Sequence, residues 1–194
     1  MAKKKQEKAP SEIYQLEITL LGSKPRIWRR FEVPANITLA SLHYIIQTVM
    51  GWENSHLHQF TIGEERYGEI IPDVVSGMDL EMTDERKIKL GDVVGNVGDR
   101  FMYEYDFGDS WEHGLKVLKT GPPEPGVRYP VCLAGKRACP PEDCGGVWGY
   151  ENLLEIIADP SHEEHGSMME WLGEEFDPEA FDLDEINGTL RRMR

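Results

Sequence analysis

The chain is short of paired cysteines, long apolar runs and positive charge, and each shortage removes a class of protein. Its three cysteines are an odd number, which argues against a closed disulfide framework and for a reducing, cytoplasmic setting. No apolar run approaches the roughly 20 residues that a membrane-spanning helix needs, so no membrane partner is expected. The segment Met1 to Lys5 is basic but has no apolar stretch behind it, so it reads as no secretory signal. Residues 1–11 are expected to be a disordered basic tail ahead of one α+β domain over 12–194. There are 21 basic and 35 acidic side chains, for a formal charge of −14. The excess is concentrated in residues 98–194, with 9 basic against 21 acidic side chains. Phosphate backbones are repelled by such a surface, which disfavours nucleic acid as a partner. Also missing are the phosphate-binding glycine loop, the dinucleotide fingerprint, the nucleophile elbow and the zincin helix, so none of those enzyme classes is supported.

What is present reads as an ordinary globular chain, 40% apolar and 29% charged, with clear periodicity. Residues 13–21 alternate as a half-buried strand, and Ile27 to Val33 follows as a second, with Arg26, Arg29 and Arg30 at its polar positions. Thr38 is placed to cap a helix carrying Leu39, Leu42, Ile46 and Val49 and closed by Gly51. His56 to Ile62 and Tyr67 to Ile70 read as two further strands. This strand, strand, helix, strand, strand order is β-grasp-like. Pro72 to Asp84 reads as a loop and Lys87 to Val94 as a short helix or turn. Arg100 to Phe107 and Trp111 to Lys119 form a hairpin joined by Gly108-Asp109-Ser110. Three helices are expected at the C-terminus: one carrying Tyr150, Leu153, Leu154 and Ile157, one begun by a Ser161/Glu164 capping box, and one capped by Asp182. The class is α+β, a mostly antiparallel sheet with helices grouped at the end.

Chemically able side chains gather between Tyr103 and Cys144. Cys139 and Cys144, with Cys132 seven residues upstream and His113 as a fourth donor, are a candidate zinc set, although the C-x4-C spacing is loose. His56 and His58 share one strand face and could meet His113. Asp106, Asp109 and Glu112 surround the hairpin turn beside Trp111 and His113. An Asp106–His113 contact would serve as an acid/base pair or orient a ligand, but no nucleophile accompanies it. Arg26, Arg29 and Arg30 around Trp28 are the candidate grip for phosphate; in so acidic a chain, pairing with carboxylates is the plainer expectation.

Four stretches resemble the plasmid Ri open-reading-frame-three-like family, also labelled an insertion-sequence passenger family. They are Pro25 to Arg30, His56 to Phe60, Tyr105 to His113 and Cys139 to Gly146. The tail around Trp171-Leu172-Gly173 and Phe176 to Glu179 resembles it too. The resemblance implies a small α+β protein of microbial, mobile-element origin and assigns no reaction. Its passenger label hints at transposition, which no recombinase signature or basic reading helix here supports. The residues thus favour a non-enzymatic binding or adaptor domain for a protein or peptide, working through the 104–113 hairpin tip and the 132–146 loop. A zinc-binding protein, with the chemistry of a metal-dependent hydrolase, and a nucleic-acid accessory factor are the alternatives.

Overall fold

Among the described residues eight strands form one sheet, in the order β5 (Thr83–Asp84), β4 (Glu65–Gly68), β3 (His58–Ile62), β6 (Arg100–Tyr105), β7 (Trp111–Gly121), β1 (Ile13–Leu20), β2 (Trp28–Pro34), β8 (Val131–Lys136). The computed structural model describes residues 12–70, 82–173 and 176–193; the expected tail, and most of the loop expected from Pro72, lie outside them. β1 (Ile13–Leu20) and β2 (Trp28–Pro34) pair antiparallel with Ile13 opposite Pro34 and Thr19 opposite Trp28. The period-2 pattern decides which face enters the core: Tyr14, Leu16, Ile18 and Leu20 are buried. On β2 the inward positions are Arg29, Phe31 and Val33. Arg29 therefore points into the molecule, contrary to the expectation that it lies on a polar face.

α1 (Leu39–Met50) starts where Thr38 accepts a hydrogen bond from Ser41 N and stops at Gly51 in the left-handed region, φ 107°. β3 (His58–Ile62) and β4 (Glu65–Gly68) form the next hairpin, and β5 (Thr83–Asp84) adds the sheet's one parallel pairing among the described residues. α2 (Leu90–Val93) leads to the β6 (Arg100–Tyr105) and β7 (Trp111–Gly121) hairpin. The β-grasp likeness stops at element order. β6 and β7 lie between the two N-terminal hairpins, β6 against β3 and β7 against β1.

β8 (Val131–Lys136) is a strand within the stretch expected to be loop, paired to β2 with Cys132 opposite Phe31. Its outer side does not stay open. Asn187 accepts from Cys132 N through Oδ1 and donates to Cys132 O through Nδ2, both at 2.9 Å. One side chain on α5 (Leu183–Leu190) thus satisfies both main-chain groups of Cys132 on the free edge of the sheet. α3 (Gly146–Ala158) and α4 (His165–Leu172) precede it. The expected Ser161/Glu164 box does not form. α4 begins at His165, which puts Glu164 at the cap itself, and Ser161 Oγ donates to Asp159 instead.

Arg29 explains how α1 and β8 are tied. Its Nε donates to Val49 O at 2.7 Å, Nη1 to Trp28 O and Lys136 O at 2.9 Å, and Nη2 to Met50 O at 3.3 Å and Arg137 O at 2.7 Å. All five donors of the guanidinium are used. Val49 and Met50 belong to the last turn of α1, whose carbonyls have no intrahelical partner and carry the negative end of the helix dipole. Burial lowers the Arg29 pKa below its usual value. The neighbouring Arg26 and Arg30 reach Glu17 at 2.6 and 2.8 Å and flank the Trp28 ring. The basic patch is a paired, structural feature.

Candidate binding site

The β6–β7 tip is tighter and stranger than a simple turn. Strand pairing ends at Tyr105 opposite Trp111. Asp106 and Ser110 then take left-handed backbone, φ 56° and 53°, and Ser110 N donates to Asp106 O at 2.6 Å. The left-handed step breaks the alternation. Asp106 turns inward to 7% exposure, whereas Phe107, which strict alternation with Tyr103 and Tyr105 would bury, is 46% exposed. Asp106 N donates to Leu57 O, which fixes the tip against the segment before β3.

The segment between β8 and α3 closes over this tip. Gly145 N donates to Asp109 Oδ2 at 3.0 Å. Gly146 has φ 68°, and a Cβ there would lie 2.5 Å from Asp109 O, so only glycine lets the two backbones meet. Glu142 Oε1 accepts from Tyr105 OH at 3.0 Å and from Glu53 N at 2.8 Å. The cysteine-bearing segment and the hairpin tip therefore share one site, and the acids between the cysteines make the contact.

His56 stands at its centre. Its Nε2 is 3.2 Å from Asp143 Oδ1, 3.5 Å from Glu142 Oε2 and 3.7 Å from Asp106 Oδ2. Its backbone N–H donates to Tyr105 OH, and the ring meets Tyr105 edge-on. Tyr105 accepts from Ser55 N and His56 N and donates to Glu142, and burial holds its pKa well above the ordinary phenol value. Asn54 and Asp143 also adopt left-handed backbone, φ 58° and 55°. Three non-glycine residues in this rare conformation thus border one histidine, a pattern typical of functional sites.

A groove of about 540 Å³ opens beside His56, lined by Tyr44, Leu57, His58, Glu69 and Glu85 among others. His58 Nε2 is 2.8 Å from Glu85 Oε2, and its ring stacks on His43 at 3.5 Å. His43 donates through Nε2 to Asn54 Oδ1, which leaves Nδ1 to accept from Tyr103 OH. Burial, then the adjacent His58, lowers the His43 pKa to about 3.

Several expected site residues have other duties. Trp111 and His113 are fully buried, Trp111 against Trp52 at 5.2 Å. His113 Nε2 accepts from Trp52 Nε1, so Nδ1–H donates to Tyr103 O, and burial lowers its pKa to about 4. No acid/base pair forms between Asp106 and His113; Asp106 faces His56. His56, His58 and His113 do not form a ligand trio. Nor do Cys132, Cys139, Cys144 and His113: among the described residues the one group of three or more such ligand atoms within 4.8 Å is His56, Asp106 and Asp143. Cys132 is fixed on β8 with Sγ toward Arg30 O. The three cysteines are free, and burial pushes the Cys144 thiol up to about 12 and the Cys139 thiol well above its usual value. Sequence reasoning missed Tyr105, Glu142 and Asp143. The available signal was an acid pair framed by Pro140-Pro141 and Gly145-Gly146, two devices that hold a loop still.

Residues 12–185 match the family model described as plasmid pRiA4b ORF-3-like protein. The chain is 38% identical over 182 residues to uncharacterized protein y4hQ of Sinorhizobium fredii (strain NBRC 101917 / NGR234), covering 93% of this chain and 91% of that one. It is also similar to the crystal structure of the protein of unknown function MM3350 from Methanosarcina mazei Go1. That match has a TM-score of 0.82 and 41% identity, over 91% of this chain and 98% of the other.

Proposed function

This chain belongs to the plasmid pRiA4b ORF-3-like family, and from its geometry we propose that it is a non-enzymatic binding domain for a peptide segment bearing apolar and basic side chains. One observation carries the reading. Four of the nine exposed large apolar side chains among the described residues lie on the segments that build the site: Tyr44 and Leu57 on the groove, Phe107 next to Asp106, and Trp148, 83% exposed, in the first turn of α3 behind Gly145. Clustered exposed apolar groups mark interaction surfaces, and aromatic anchors dominate their energetics. Glu69 in the groove and the formal charge of −14 supply the complement for Lys or Arg on the partner. The rigid turn and loop would hold these anchors in place at little entropic cost on binding.

In the same reading the protein works in the cytoplasm, consistent with three free cysteines. Among the described residues no helix is long and apolar enough to cross a membrane. A displayed random-peptide library selected against the intact protein tests the proposal. Enrichment of sequences mixing aromatic or aliphatic with basic residues is expected. Their binding should fall at least about tenfold on Phe107→Ala or Trp148→Ala, as for a hot-spot residue, and should weaken with salt. No enrichment, or enrichment indifferent to both substitutions, would discard it.

A further inference from the structure

The geometry points to a divalent transition-metal site made by His56 Nε2, one oxygen each of Asp106 and Asp143, and Glu142 as a fourth donor. It gives a chemical identity to the centre of the binding site proposed above and rests on that reading for location alone.

The spacing comes first. Ligands bound at 2.0–2.2 Å to a tetrahedral ion stand about 3.3–3.6 Å apart. The three carboxylate oxygens lie 3.2, 3.5 and 3.7 Å from His56 Nε2. The ligand atoms of His56, Asp106 and Asp143 all lie within 4.8 Å of one another, so one ion could reach these three with small adjustments, whereas Glu142, outside that group, would have to swing in to complete the shell.

The second argument concerns which atoms are already used. Asp106 Oδ1 accepts from Gly108 N, leaving Oδ2 toward His56. Glu142 Oε1 accepts from Tyr105 and Glu53, leaving Oε2 toward His56. Each acid is thus held by one oxygen and presents the other, the arrangement that outer-shell partners impose on metal ligands. His56 Nε2 and Glu142 Oε2 are both buried without a hydrogen-bond partner. A buried nitrogen and carboxylate oxygen left unpaired side by side are costly unless something binds them.

Charge gives the third. A protonated imidazole has a single Nε2–H to offer, yet three carboxylates face that nitrogen. A divalent ion would balance more of that charge and use the nitrogen's lone pair as well. Imidazole among the donors favours zinc over calcium or magnesium, which prefer all-oxygen shells, while the carboxylates make manganese the second candidate.

The test uses the full chain, stripped by chelator, dialysed and titrated with Zn²⁺ and separately with Mn²⁺ by calorimetry. Co²⁺ absorption reports ligand type. One equivalent should bind, with a rise in Tm. His56→Ala should lose stoichiometric binding. Asp143 is a safe second site, since its side chain is 72% exposed, and Asp143→Asn should weaken affinity without unfolding the chain. Tyr105→Phe keeps all four donors but removes one of the two hydrogen bonds that hold Glu142 Oε1, and should cost roughly tenfold in affinity, the low end of outer-shell losses. A Cys139→Ser/Cys144→Ser variant should bind as the parent does, and the Co²⁺ spectrum should lack a sulfur charge-transfer band. Circular dichroism and urea midpoints establish that each variant is folded. The inference is overturned by no binding even at millimolar metal, by unchanged binding in folded His56→Ala and Asp143→Asn, or by loss confined to the cysteine variant. Metal failure with peptide capture retained sinks this inference alone; a bound ion without peptide capture sinks the docking reading alone.

Discussion

Removing Arg29 should unfold far more than a surface arginine would. The perturbation is Arg29→Met, which keeps length and apolar stem but deletes five donors. Two effects oppose. Losing a buried guanidinium relieves its desolvation cost, which is why apolar replacements of buried ions are sometimes neutral. Against that, all five of its hydrogen bonds go to main-chain carbonyls, among them Val49, Met50, Lys136 and Arg137. Each buried carbonyl left unpaired costs about 1–3 kcal/mol, and no carboxylate is released to compensate. Its stacking on Phe181, 4.9 Å from the ring, goes too. With partial relaxation and the desolvation relief set against the unpaired carbonyls, the net loss should be about 3–5 kcal/mol. For a chain of this length that is roughly 10–15 °C in Tm. Arg29→Lys keeps the charge but has three donors on a point-like head, and should recover only part of the loss. Urea unfolding of the three proteins is the assay, at constant m-value. A loss below about 1 kcal/mol for Arg29→Met would show that α1 and β8 are not tied through this side chain.

Acid should weaken the fold through His43 and His113. Both have folded pKa values, about 3 and about 4, below the ordinary 6.5. Below pH 6.5 the unfolded chain therefore takes up two protons that the folded chain refuses. Stability falls as pH drops toward 4, by about 1.4 kcal/mol per pH unit per histidine. Between pH 7 and 5 about 4 kcal/mol should go, and a His43→Gln variant should show close to half that slope; a flat profile refutes the buried, neutral assignment. Gly146→Ala should cost about 1–2 kcal/mol from the left-handed backbone alone. The clash with Asp109 O should also move the tip away from Glu142, weakening both peptide and metal binding. Unchanged affinity in a folded variant would separate the tip from the site.

Periodicity was a sound guide wherever one side of an element meets the core. β1, the β6–β7 hairpin and α1 with its Thr38 and Gly51 caps are legible because alternation, helical spacing and caps are local properties. β8 was not, since its six residues include Ala134 and Gly135 and bury only Cys132, too weak a pattern to register. Of the site, His56 and Asp106 were legible as chemically able residues in a dense segment. Their partners were not, because Asp106 reaches His56 only after a left-handed step and Glu142 only after β8 returns the chain across the sheet. The sequence by itself determined an acidic α+β chain, its family and the segments that carry its chemistry, all of which depend on composition and short spacing. Tertiary structure alone decided that Arg29 is a brace, that Trp111 and His113 are core, and that carboxylates rather than thiols face His56. Those outcomes depend on which buried carbonyl, indole or carboxylate arrives from a distant strand, and local pattern carries no record of that.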